Sequence, residues 1–150
     1  MRRKLDAVLT NVKVVGREYS ATRLATDRLL AAVCDDPTLL SGDVSPSDIR
    51  RASENLEGTY LIRLFAEFET VLRLYWSAVR GTPPPSRTRD VLDGIAATRR
   101  IPVTRLFDAH AVREYRNTLV HERDEAAVSI SMGDARRYLC RFLSFLPPTW

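Results

Sequence analysis

The stretch "EYRNTLVHER", Glu114 to Arg123, together with the residue just before it, holds four side chains suited to chemistry on a phosphodiester: Arg113, Arg116, Asn117 and His121. Arg113, Asn117 and His121 stand four apart, so a helix advancing about 100° per residue lines them along one exposed face. Arg116 falls instead among Val112, Leu119 and Val120, on the apolar stripe of the same helix. A guanidinium there needs either a carboxylate or an anion, because an unpaired buried charge is costly. An imidazole can move a proton on or off an oxygen near neutral pH, and a guanidinium can hold a phosphate and stabilise its added charge. The asparagine can orient either group. If His121 ends the helix, the negative end of the macrodipole favours its protonated form. Glu69, at the edge of the apolar stripe in "LIRLFAEFETVLR", is the expected support for Arg116: it pairs with the guanidinium, or holds it while it faces substrate.

Other chemistries have less to stand on. With only two histidines and two cysteines, no CxxC pair and no zinc-ligand spacing, a metal site or disulfide framework is not expected. Cys34 and Cys140 read as reduced, buried thiols. No Ser/His/Asp nucleophile motif and no glycine-rich phosphate loop is present, and no cofactor is implied. The formal net charge of +4 comes from 23 basic residues against 19 acidic ones, and only Lys4 and Lys13 of the 23 are lysines. Codon bias in a GC-rich genome accounts for such arginine enrichment whatever the function. Arginine is also the side chain that forks onto phosphate oxygens, which leaves a polyanionic partner open.

The elements that must position these residues are helices. At 150 residues, 45% apolar, the chain is long enough for one domain with its own core. Residues 4 to 33 place Leu5, Val8, Val12, Val15, Tyr19, Thr22, Thr26, Leu29 and Val33 at alternating spacings of three and four. That is a heptad seam, one long helix or two joined near "YSAT", packed against a bundle or a second subunit. "SPSD" then announces a helix, with Ser45 as N-cap, Pro46 at the first helical position and Asp48 three residues after the cap. Gly58 is a point where that helix could bend, and from Leu61 onward Leu64, Phe65, Phe68, Leu72, Tyr75 and Val79 recur at helical spacing. "GTPPPS" ends it. Shorter helices follow at about Thr88 to Thr98, at Thr104 to His121, and within "SMGDARRYLCRFLSFLPP", after a charged loop "ERDEAA". Trp76 reads as core filler and Trp150 as a terminal packing residue. The fold class is all-α: a four-helix up-and-down bundle over residues 45 to 146 with an additional N-terminal helical segment, 1 to 34.

Within that frame "RNTLVH" resembles the RNxxxH form of the Rx4-6H signature of HEPN domains, which sits near the end of a core bundle helix. The flanking helices "LIRLFAEFETVLR" and "ARRYLCRFLSFLP" are similar to the surrounding bundle elements, so the resemblance spans roughly residues 55 to 146. Arg105 and His110, in "RLFDAH", also satisfy the loose spacing, but Leu106 follows the arginine where Asn117 follows Arg116. The resemblance implies a metal-independent endoribonuclease acting by 2′-hydroxyl attack, with Arg116, Asn117 and His121 catalytic. It also implies a homodimer whose two motifs face one cleft. A toxin–antitoxin or defence setting follows, often with a nucleotidyltransferase-like antitoxin as partner. Arg113 is an expected RNA contact. The competing expectation is a non-catalytic module that binds another protein or a nucleotide. The basic start of the chain is interrupted by Asp6, Asn11 and Lys13 with no cleavage site after it, and no apolar run is long enough to span a bilayer. The expected location is cytoplasmic, with no membrane partner.

Overall fold

The computed structural model describes residues 5–121 and 127–150. Five α-helices account for most of them: α1 (Leu5–Asp35), α2 (Pro46–Arg80), α3 (Thr88–Arg99), α4 (Val103–Val120) and α5 (Met132–Leu143), with a single 3-10 turn at Pro37–Leu39. No β-strand occurs among the described residues. The "ERDEAA" loop falls almost wholly outside them, and "VSIS" runs as irregular chain into α5.

Local chemistry fixes the helix ends. Ser45 caps α2 by accepting from the Asp48 amide, while the Asp48 carboxylate accepts from the Ser45 amide at 2.9 Å, a reciprocal capping box behind Pro46. At the other end Gly81 adopts φ 64°, the left-handed conformation glycine reaches without steric cost, and its N–H returns to Ser77 O. Three prolines then bar further helix. Ser131 caps α5 through the Asp134 amide at 3.1 Å. Helix α2 passes through Gly58 without interruption, where a β-carbon would make only ordinary contact with Leu119.

One hydrophobic core joins all five helices. Phe65, Phe68 and Phe142 are buried at its centre, with the Phe68 ring 5.7 Å from each of the other two. Aromatic pairs in such tilted and edge-on arrangements add to the burial of the rings themselves. Helix α1 supplies Val8, Val12 and Val15 to this core, packing along α2 and also touching α5, so the first half of the heptad seam is occupied within the chain, while Leu29 further along it is 38% exposed. The weaker, threonine-bearing half of the seam is satisfied by polar contacts: Thr22 Oγ1 lies 3.0 Å from Tyr60 Oη, and the Tyr60 ring tilts onto Tyr19. Helix α4 packs against α5 and α2, and the short α3 sits against α2 and α4. The two ends of the described chain meet where the Leu5 amide donates to Pro148 O at 2.9 Å, beside Trp150, whose ring stands edge-on to Tyr75.

The expectation of two buried thiols is corrected. Cys34 is exposed, because only Val33 of the last α1 turn is covered and the next residue turns about 100° away from it. Cys140 is half-buried, and neither forms a disulfide.

Candidate functional site

Helix α4 is anchored by its middle. Ala109 and Val112 are its buried residues, and beyond them the helix emerges from the core, leaving Leu119 and Val120 37% and 44% exposed. The apolar stripe read from the sequence therefore ends one turn early. Arg116 lies at this transition. Its guanidinium carbon stands 5.8 Å from the centroid of the Phe65 ring on α2, and Nη1 donates to Asn117 Oδ1 at 3.2 Å. Nε is buried and has no acceptor among the described residues. The charge thus sits on an aromatic face, within the range where a ring quadrupole attracts a cation, with one of its five donors engaged.

His121 is the C-cap of α4, exposed, with extended backbone, and its amide donates to Asn117 O at 2.9 Å. That bond closes the last helical turn, so Asn117 and His121 are stacked one turn apart. Arg116, Asn117 and His121 are accordingly brought to one end of α4, the first half-buried against α2 and the last in solvent.

Glu69 takes a different partner from the one expected. It accepts from Arg73 Nε and Nη2 at 3.0 and 2.8 Å and from Thr88 Oγ1 at 2.5 Å. Arg73, one turn along the same helix, extends this network to Pro85 O at 2.8 Å and Ser86 O at 2.9 Å, fastening the proline connector to α2. No hydrogen bond or ion pair joins Glu69 to Arg116; the nearer arginine has taken the carboxylate. Burial works against ionisation of Glu69, but hydrogen bonds from Thr88 and Arg73, and then the charges of Arg73 and Arg116, hold its carboxyl below the usual glutamate range. Arg116 therefore acts on Glu69 through space only.

Arg113 is also drawn aside. Its side chain is 17% exposed, donates to Glu114 and, through Nε, to His110 Nδ1 at 3.4 Å. His110 Nε2 lies 2.8 Å from Asp93 Oδ1 on α3. An imidazole that accepts at Nδ1 carries its proton on Nε2 and donates it to the aspartate. Asp93, His110 and Arg113 line an open cleft of about 360 Å³ between α3 and α4, together with Arg89 and Phe107. Arg105, the other arginine with a histidine at motif spacing, pairs with Asp108 at 3.3 Å.

Compared with protein-family models, with curated proteins and with solved structures, the chain gives no match. The site must be read from its own geometry. Among the described residues no three histidine, cysteine or carboxylate side chains converge as a metal site would require, and no helix is long and apolar enough to cross a membrane. What the end of α4 offers is a cation held by an aromatic ring and an amide, followed one turn later by a solvent-facing imidazole.

Proposed function

We propose that this chain is a HEPN-type endoribonuclease, with Arg116, Asn117 and His121 as its catalytic group. The observation that supports it best is the state of Arg116: a half-buried guanidinium with no carboxylate at ion-pair distance among the described residues, oriented by Asn117 at 3.2 Å. Such a group is poised to take the negative charge it lacks from a ligand, and a phosphate suits its forked donors.

The reaction follows from the groups available. The 2′-hydroxyl of a ribose attacks the adjacent phosphorus; a bond from O2′ to phosphorus forms as the bond from phosphorus to O5′ breaks. The proton leaves the 2′-oxygen and one arrives on the 5′-oxygen, transfers that an imidazole such as His121 performs near neutral pH. Arg116 stabilises the charge gathering on the non-bridging oxygens, and Asn117 keeps the guanidinium turned toward them. The products are a 2′,3′-cyclic phosphate and a 5′-hydroxyl. In this reading the five helices form the up-and-down four-helix bundle with one added helix that the motif resembles, and two copies pair so that Leu119 and Val120 are covered and both motifs face one cleft.

The second reading, a module that binds a protein without turnover, has its own observation: Val103 and Phe107, on the first turns of α4, are 63% and 68% exposed. Substituting His121 by alanine separates the two. Loss of RNA cleavage with the helical circular-dichroism spectrum and oligomeric state retained supports the nuclease; RNA left intact by the wild type as well supports the binding module.

A further inference from the structure

The seam between α1 and α5 forms an open groove of about 580 Å³, lined by residues that include Lys13, Asp134, Arg136, Arg137 and Cys140. One of its lining residues, Arg136, lies against Gly16 of α1. Glycine inside a helix costs about 1 kcal/mol relative to alanine, so a buried glycine at the middle of α1 calls for a reason. The reason is Arg136: a β-carbon on Gly16 would stand 3.0 Å from Arg136 Cδ and 3.2 Å from its Nη1. The missing side chain leaves room for the arginine to lie against α1.

Arg136 and Lys13 are both exposed, and neither has a carboxylate partner among the described residues. Arg137 bonds Asp134 at 2.5 Å, which leaves Lys13 and Arg136 as the groove's uncompensated charges. Arg17 lies one turn beyond Lys13 and Arg141 one turn beyond Arg137, roughly 6 Å along each helix and both exposed, so further positive charge stands past the groove's own lining. The same two cations reach Cys140: burial pushes its thiol up, while Arg136 and Lys13 pull the other way. Among the described residues no large apolar side chain lines the groove, which therefore shows no desolvated centre of the kind a protein partner would need.

We infer that this groove between α1 and α5, whose lining does not include Arg116, Asn117 or His121, binds the phosphate backbone of a single RNA strand, with Lys13 and Arg136 as its principal contacts. The inference rests on RNA being the ligand class of the proposed function, but not on cleavage. Uncompensated cations without an apolar floor grip phosphates and leave the sequence unread.

The test is binding of a fluorescently labelled single-stranded RNA to the His121→Ala protein in EDTA, across a range of salt. Lys13→Met with Arg136→Met should weaken binding by about tenfold or more at low salt. It should also reduce the slope of log affinity against log salt by about 1.4, because two phosphates then keep their counterions. Gly16→Ala, which keeps every charge but crowds Arg136, should weaken binding about threefold. Arg50→Met with Arg51→Met, an equal loss of charge on the first turns of α2, should change little. The inference is overturned if the groove variant binds within twofold of its parent, if the α2 variant loses as much, or if the parent does not bind RNA at low salt. Failure of the nuclease reading looks different: the wild type then leaves RNA intact while the groove variants still lose affinity.

Discussion

Arg116 donates to Asn117 Oδ1 at 3.2 Å while its Nε, buried against the neighbouring helix, meets no acceptor among the described residues. An arginine kept for stability is normally tied to a carboxylate, and breaking such a pair strands a charge. Here no described pair exists to break. Arg116→Met, which keeps the stem on Phe65, should leave stability within about 1 kcal/mol of wild type or raise it slightly, while RNA cleavage falls by about a hundredfold or more. Denaturant melts beside cleavage rates check this; a large loss of stability would show that Arg116 is structural.

Glu69 sets an acid limit on the fold. Because its folded carboxyl titrates below the usual glutamate range, its contribution is fully present above that range and is lost as the pH falls through the lowered value. Glu69→Gln should therefore unfold at lower denaturant concentration than wild type at pH 7, with the gap narrowing as the pH drops below about 4.5. Urea melts at several pH values check the sign. Freed Arg73 would also loosen the connector it holds at Pro85 and Ser86.

Gly94 marks a tight contact. A β-carbon there would lie 2.6 and 2.8 Å from two ring carbons of Trp76, whose indole is 9% exposed and carries the Arg80 guanidinium 4.1 Å above it. The ring is rigid and cannot yield at its far end. Gly94→Ala should destabilise by about 1–3 kcal/mol despite its better helix propensity, with a change in tryptophan fluorescence.

Cys140 reports on the groove charges. Burial raises its thiol and the charges of Arg136 and Lys13 oppose that rise, so Lys13→Met with Arg136→Met should move it further up. In a Cys34→Ser background, the rate of alkylation of Cys140 at pH 8 should then fall, because less thiolate is present. An unchanged rate would show that the two cations do not act on the thiol.

The helices were legible because their signals are local. The capping box at Ser45 and Asp48, the proline stop after Arg80 and the 3.6-residue apolar period each act over a few residues, and the ends of α3 and α4 fall within a residue of the expected ones. The order of Arg116, Asn117 and His121 along one helix end was readable for the same reason. What stayed illegible depends on pairing between helices. Glu69 and Arg116 sit at compatible angles on their own helices, but nothing in either pattern says that Arg73, one turn away, reaches the carboxylate first. The Asp93–His110 contact joins α3 to α4, and the Gly16–Arg136 contact joins α1 to α5; no periodicity within one helix marks such a meeting. Leu119 and Val120 fit the apolar stripe yet stand partly in solvent, because α4 outruns the core it packs on.

Cleavage of end-labelled RNA by the purified wild-type protein in EDTA, beside the His121→Ala protein prepared identically, bears most directly on a ribonuclease centred on His121. The wild type alone should cut, leaving 2′,3′-cyclic phosphate and 5′-hydroxyl ends. Intact RNA with the folded wild type on several substrates, or equal cleavage by His121→Ala, would contradict that assignment.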